Sequence, residues 1–168
     1  MIIDTATNAL MQLIETPILI IFSKIIAYAL DPVVLIIVSL ILATYLYFKI
    51  SKKKGLFLAT TILLTGIIII ALKEIFQRAR PINALITESS FSMPSGHATM
   101  AVIFFGLIIY LFTSKKNKIK IYVTTTLIIL LIGFTRIYLR VHWLTDIIAG
   151  FSIGGIILIT SILIYKKY

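Results

Sequence analysis

Apolar residues gather in five long runs, at 33–48, 56–72, 97–112, 119–135 and 143–165, parted by short polar or basic stretches except for the long one at 73–96. At about 1.5 Å per residue, runs of this length suit the roughly 30 Å of hydrocarbon in a bilayer. They are too long and too uniform for strands, and a backbone in lipid must satisfy its own hydrogen bonds, so five membrane-spanning helices are expected. Ahead of them, residues 17–30 form a shorter apolar run with Lys24 at its middle. A central charge costs about 2.5 to 3.5 kcal/mol, which disfavours a full crossing there. Earlier still, Ile3, Ala6, Leu10, Leu13 and Pro17 recur at steps of three or four, with Asp4, Thr7, Asn8, Gln12 and Glu15 between them. That is the pattern of an interfacial helix. Residues 1–32 are therefore expected as an outer-face helical hairpin, interfacial or partly spanning, and Asp31-Pro32 marks the break before the first full span.

The composition agrees with a membrane protein: 60% of the 168 residues are hydrophobic and 13% charged, with a mean hydropathy of +1.11. A soluble domain carries about twice that charged share. A soluble enzyme, a disordered tail and a secreted module are excluded. With no cysteine in the chain, a disulfide framework, a thiolate nucleophile and a Cys-ligated metal are excluded too. The expectation is one all-α polytopic bundle over residues 1–168, with 33–168 as its catalytic core.

The net charge of +10 would suggest nucleic acid in a soluble protein, but the positions of the bases say otherwise. Lys49, Lys52, Lys53 and Lys54 form one group, Lys115, Lys116, Lys118 and Lys120 a second, and Lys166 with Lys167 a third. All sit between or after apolar runs, as the positive-inside rule places cytoplasmic bases. No nucleic-acid partner is expected. The C-terminus is then cytoplasmic, and the ends near Lys73, His97, Arg136 and Trp143 face the extracytoplasmic side of the cell membrane. The absence of Lys and Arg before Lys24 argues against a cleaved signal peptide.

The remaining unusual polar residues share that outer end. Lys73 and Arg80 would lie on one face if the helix persists to Pro81, with Glu74 and Arg78 as an i,i+4 pair. Pro94-Ser95-Gly96-His97 opens the third run. A helix start offers free N–H groups, Gly96 permits close backbone approach and Ser95 adds a hydroxyl, all suited to phosphate; a plain serine cap with a Pro-Gly turn would use the same residues. His97 and His142 are the chain's two histidines. His142 and Asp146 are four residues apart, so on a helix the carboxylate could orient the imidazole. The cations Lys73, Arg78, Arg80, Arg136 and Arg140 outnumber Glu74, Glu88 and Asp146, which calls for an anion. Two histidines beside a phosphate cradle suggest phosphoryl transfer, one as nucleophile and one as acid.

Lys73 with six residues to Arg80-Pro81, then Pro94-Ser95-Gly96-His97, then Arg136 with five residues to His142 and three to Asp146 together resemble the type 2 phosphatidic acid phosphatase superfamily. This superfamily of membrane lipid phosphatases includes bacterial phosphatidylglycerophosphate and undecaprenyl diphosphate phosphatases. The resemblance covers roughly residues 33–165; Thr135 stands where serine is usual, and the extra first span of many relatives is absent or degenerate. It implies that Lys73, Arg80, Ser95, Gly96 and Arg136 hold the phosphate oxygens, that His142 attacks phosphorus with Asp146 orienting it, and that His97 protonates the leaving group. It implies a phosphohistidine intermediate, no metal and no cofactor, and a lipid phosphate or diphosphate as partner. A polyprenyl diphosphate such as undecaprenyl diphosphate is favoured by the outward site and short loops, ahead of phosphatidylglycerophosphate and phosphatidate. The second reading is a non-enzymatic protein that binds or moves an anionic lipid, for which an oriented His142–Asp146 pair has no use.

Overall fold

The computed structural model describes residues 2–113 and 118–167. These form seven helices in chain order: α1 (Ile2–Leu13), α2 (Pro17–Ala29), α3 (Pro32–Lys49), α4 (Lys52–Phe76), α5 (Gly96–Phe112), α6 (Lys118–Tyr138) and α7 (Leu144–Lys167). Each of α2 to α5 starts on an oxygen-bearing cap: the side chains of Thr16, Asp31, Ser51 and Ser95 accept from the N–H groups of Leu19, Val33, Lys54 and Ala98. Pro17 and Pro32 follow two of those caps, where a missing N–H costs nothing.

Four of the helices, α3, α4, α6 and α7, are long and apolar enough to cross a membrane. Ile41, Ile67, Leu127 and Ile159 stand exposed on their outer faces, the arrangement of a multi-pass membrane protein in contact with lipid. The fifth expected span corresponds to α5, which has 17 residues, while α2 has 13.

Helix α5 is the hub, packed against α3, α4, α6 and α7. Its Met100, Ile103 and Leu107 are fully buried with Leu46 of α3 and Leu58 and Ile62 of α4. Association inside a bilayer rests on close packing rather than on expelled water. Gly150 and Gly154 of α7 show this: a Cβ at 150 would lie 2.9 Å from Ser95 O, and one at 154 would lie 2.9 Å from Thr99 O. Only glycine allows α7 so near α5. That approach sets the first turn of α7 beside the first turn of α5, where Ser95 N donates to Asp146 O at 3.1 Å.

The two ends of the bundle differ in chemistry. At one, Lys53 lies 4.6 Å over the Tyr165 ring, so the start of α4 meets the end of α7 with its Lys166 and Lys167. Lys115 and Lys116 of the second basic group lie outside the described residues. At the other end the C-termini of α4 and α6 meet the N-termini of α5 and α7. Helix α1 lies across that end with its polar side inward. Asp4 is buried and paired with Arg78 and Thr145, Asn83 donates to Asn8 at 3.0 Å, and Arg140 donates to Glu15 at 2.6 Å, while Ile2 and Leu13 are exposed.

Two local expectations are corrected. Helix α4 does not run on to Pro81: it ends at Phe76, because Gln77 turns left-handed (φ 44°) and its N–H closes on Lys73 O. Arg80 therefore meets Lys73 by a reversal of the chain, and Arg78 pairs with Asp4 and Asp146 rather than with Glu74. His142 is not on a helix either. It lies two residues ahead of α7, and Asp146 reaches back to it from the first helical turn.

Candidate active site

Lys73 from the last turn of α4, Arg80 from the following loop, Gly96 and His97 from the start of α5, and His142 from the turn before α7 line one cavity of about 300 Å³. Its other walls are mostly apolar, with Val33 and Ile36 of α3, Ile69 and Ile70 of α4 and Met100 of α5, and they also include Asp31, Glu88 and Ser90.

The imidazole of His142 sits between charges of opposite sign. Its Nδ1 lies 3.4 Å from Asp146 Oδ2, near enough for pairing and long for a hydrogen bond, and its Nε2 lies 3.3 Å from the Arg80 guanidinium. Such contacts are often loose before a substrate is bound. Asp146 is fixed independently: Oδ2 accepts from Trp143 N at 2.9 Å, closing the first turn of α7, and Oδ1 accepts from Arg78 at 2.6 Å.

Burial disfavours the imidazolium and takes His142 down to about 4; Asp146 pulls it back up, while Arg80 and Arg136 press it further down. The ring is therefore neutral near pH 7, with a nitrogen lone pair available. In ¹⁵N-histidine NMR of the detergent-solubilised protein, His142 is expected to titrate near pH 4, and lower still in Asp146→Asn, which removes the group that favours the charged ring. A midpoint near the ordinary 6.5 would contradict this environment. Arg80 is also lowered by burial, partly offset by Glu88, yet an arginine keeps its charge.

The cations are arranged for an oxyanion. Arg80 is braced by Ser90 O (2.7 Å) and Val141 O (2.7 Å), and Lys73 Nζ donates to Phe91 O. Arg136, in the last turn of α6, is fully buried and its guanidinium pairs with Glu88, whose other oxygen lies 3.8 Å from Arg80. A carboxylate thus sits where two arginines converge, the place an anion would take. Arg136 Nε is buried and has no partner among the described residues.

Three expected residues take other positions: Arg136, buried and paired with Glu88, is absent from the cavity wall. The Ser95 hydroxyl faces its own helix, capping Ala98 N at 3.4 Å, and Ser95 is not on the cavity wall. His97 lines the cavity, but its Nε2 donates to Ala27 O of α2 at 3.0 Å, with Asp31 Oδ2 at 3.8 Å. A Cβ on Gly96 would make only ordinary contacts, the nearest Pro32 Cγ at 3.5 Å, so the packing around this residue does not itself require glycine. Arg78 and Glu88 were visible as charges near the motifs without a role, and Asp4 as one polar position of α1. Their partners lie on other elements, which spacing along the chain does not show.

The matches to known proteins fall on this same region. The PAP2 superfamily model matches residues 54–168, which carry Lys73, Arg80, His97, Arg136, His142 and Asp146. The chain belongs to the PAP2 superfamily. This PAP2 chain is 42% identical over 89 residues to phosphatidylglycerophosphatase B of Bacillus subtilis, across 49% of its own length and 44% of the relative's. It is 28% identical over 127 residues to an undecaprenyl-diphosphatase of Sulfolobus acidocaldarius, across 71% of the chain and 59% of the relative. The chain therefore spans about half the length of the curated relatives it matches. Among solved structures, a transmembrane PAP2 type phosphatidylglycerolphosphate phosphatase from Bacillus subtilis superposes with a TM-score of 0.87 at 29% identity, over 98% of this chain and 85% of that one.

Proposed function

We propose that this chain is a membrane lipid phosphatase working through a phosphohistidine on His142. The observation that carries the reading is the His142 ring held between Asp146 and Arg80, facing a cavity lined by Lys73 and Arg80 with the carboxylates of Glu88 and Asp31, and otherwise by apolar side chains of α3, α4 and α5. Lys73, Arg80 and Arg136 hold the phosphate oxygens, Glu88 yields its place on Arg136, and the lipid tail leaves along Val33, Ile36 and Ile70. His142 Nε2 attacks phosphorus and the bond to the lipid oxygen breaks. His97, which takes up a solvent proton as the anionic phosphate binds beside it, exchanges Ala27 O for that oxygen and gives it the proton. Water then attacks the phosphohistidine, returns a proton to His97, and leaves as orthophosphate with His142 restored. Cationic side chains stabilise the charge, so no metal or cofactor enters the scheme.

The likeness to the Bacillus phosphatidylglycerophosphatase favours a phosphate monoester such as phosphatidylglycerophosphate. Undecaprenyl diphosphate, which the short loops favour, would release lipid monophosphate instead of an alcohol. Phosphate release by the purified protein in excess EDTA, from these two lipids and phosphatidate in parallel, tests both points. Release from at least one lipid is expected, fastest from phosphatidylglycerophosphate. No release from any would shift the reading to an anionic-lipid binding protein.

In the proposed orientation α5 crosses with the other four long helices, the lysine-rich end is cytoplasmic and the site opens outward. The chain has no cysteine, and Ile82 in the loop after α4 is fully exposed. Ile82→Cys should therefore react with an impermeant thiol reagent on intact cells. Labelling only after lysis would reverse the orientation.

A further inference from the structure

We propose that Arg78 and Asp4 are positioning residues for the nucleophile: Asp4 of α1 fixes Arg78, and Arg78 fixes the Asp146 carboxylate that orients His142. This rests on the His142 reading above and extends the working site to the N-terminal helix.

Arg78 spans two buried carboxylates from helices at opposite ends of the chain. One terminal nitrogen donates to Asp146 Oδ1 at 2.6 Å and to Thr145 Oγ1 at 2.6 Å, and the other donates to Asp4 Oδ2 at 2.7 Å. Asp4 is 3% exposed and Asp146 0%. Asp4 also accepts from Thr145 N at 3.0 Å, so α1 supplies a carboxylate to the first turn of α7, one residue before Asp146. The Trp143 ring lies 5.6 Å from the guanidinium carbon and steadies its plane. A planar fork with several donors can hold both carboxylates at once, which a lysine ammonium cannot.

Both terminal nitrogens of Arg78 are taken up by Asp146, Thr145 and Asp4, and the residue is absent from the wall of the cavity that contains His142, so it acts on the reaction through Asp146. With Trp143 N on one oxygen and Arg78 on the other, Asp146 keeps a single rotamer and Oδ2 stays toward Nδ1 of His142. Without Arg78, Oδ1 loses its charged partner inside the protein, and the carboxylate is free to turn.

The test uses Arg78→Gln, Arg78→Lys, Asp4→Asn and the double variant Asp4→Asn/Arg78→Gln in the full chain. Arg78→Gln should lower kcat about 100-fold with KM changed less than about threefold, and Asp4→Asn about 10-fold, the usual range for groups that orient a reacting ligand. Arg78→Lys should recover only part of the loss. Because Asp4 acts through Arg78, the double variant should equal Arg78→Gln within about twofold, which independent contributions would not give. The His142 resonance supplies a readout that does not need turnover. Arg80, Arg136, Lys73, Glu88 and Asp146, the charged groups around His142, remain in every variant, and its midpoint should fall in Arg78→Gln, towards that of Asp146→Asn, as the carboxylate turns away from Nδ1; a rise, which loss of the Arg78 charge alone would give with Asp146 still in place, would overturn the positioning role. Lower thermal stability with unchanged kcat per folded molecule and an unmoved His142 midpoint would overturn the proposal. If no lipid is hydrolysed even by the unaltered protein, the phosphatase reading fails while the NMR shift still decides the positioning role.

Discussion

His142→Ala is expected to reduce phosphate release by about 10⁴-fold or more, the scale seen when a nucleophile is removed from an intact site. The fold should survive, since the imidazole contributes one contact to Arg80 and one long approach to Asp146. Lipid-phosphate binding should survive as well, because Lys73, Arg80 and Arg136 are untouched. Steady-state phosphate release beside binding of a phosphatidylglycerophosphate vesicle separates the two effects. Retained turnover would remove His142 as nucleophile, and loss of both would show that the substitution had damaged the bundle.

Arg136→Gln should lower kcat/KM by about 10³-fold, and Arg136→Lys by about 10²-fold. Arg136 is 1% exposed at the end of α6, with one nitrogen on Glu88 and a buried Nε that has no partner among the described residues. A guanidinium placed in this way serves an oxyanion with two parallel donors, and in a site screened from water each donor aimed at developing charge counts for about 10²- to 10³-fold. Lysine restores the charge but not the fork. Kinetics over a range of lipid concentrations provide the check. A change confined to KM below about threefold would place the phosphate elsewhere.

The apolar runs located helices α3 to α7 because a long hydrophobic stretch is itself the dominant signal, and four of these, α3, α4, α6 and α7, are long and apolar enough to cross a membrane. The polar ends were equally visible, since Lys73, Arg80, His97, Arg136, His142 and Asp146 are unusual residues in such a chain. Their assembly was not. Whether α4 continued to Arg80 depended on Gln77 adopting a left-handed backbone, a conformation that nothing in Gln-Arg-Ala-Arg-Pro requires. Glu88 looked like a loop charge, but tertiary structure carries it onto Arg136. Arg78 had an adequate local partner in Glu74, four residues away, yet two buried carboxylates in α1 and α7 outweigh one exposed neighbour. Along α1 the pattern set Asp4 and Asn8 on a polar side, and both meet the bundle, although Met11 is buried with them and Gln12 is exposed. That this side holds Asp4 against the start of α7 is a contact across 141 residues, which periodicity cannot reveal.

In the proposed mechanism phosphorus becomes bonded to His142. Turnover of a lipid phosphate stopped in alkali, where phosphohistidine persists, followed by peptide mass spectrometry, tests it most directly. A phosphoryl group is expected on His142 in the unaltered protein and none on the corresponding peptide of His142→Ala. Phosphate release at full rate with His142 never modified, or a phosphoryl group found on His97 instead, would contradict it.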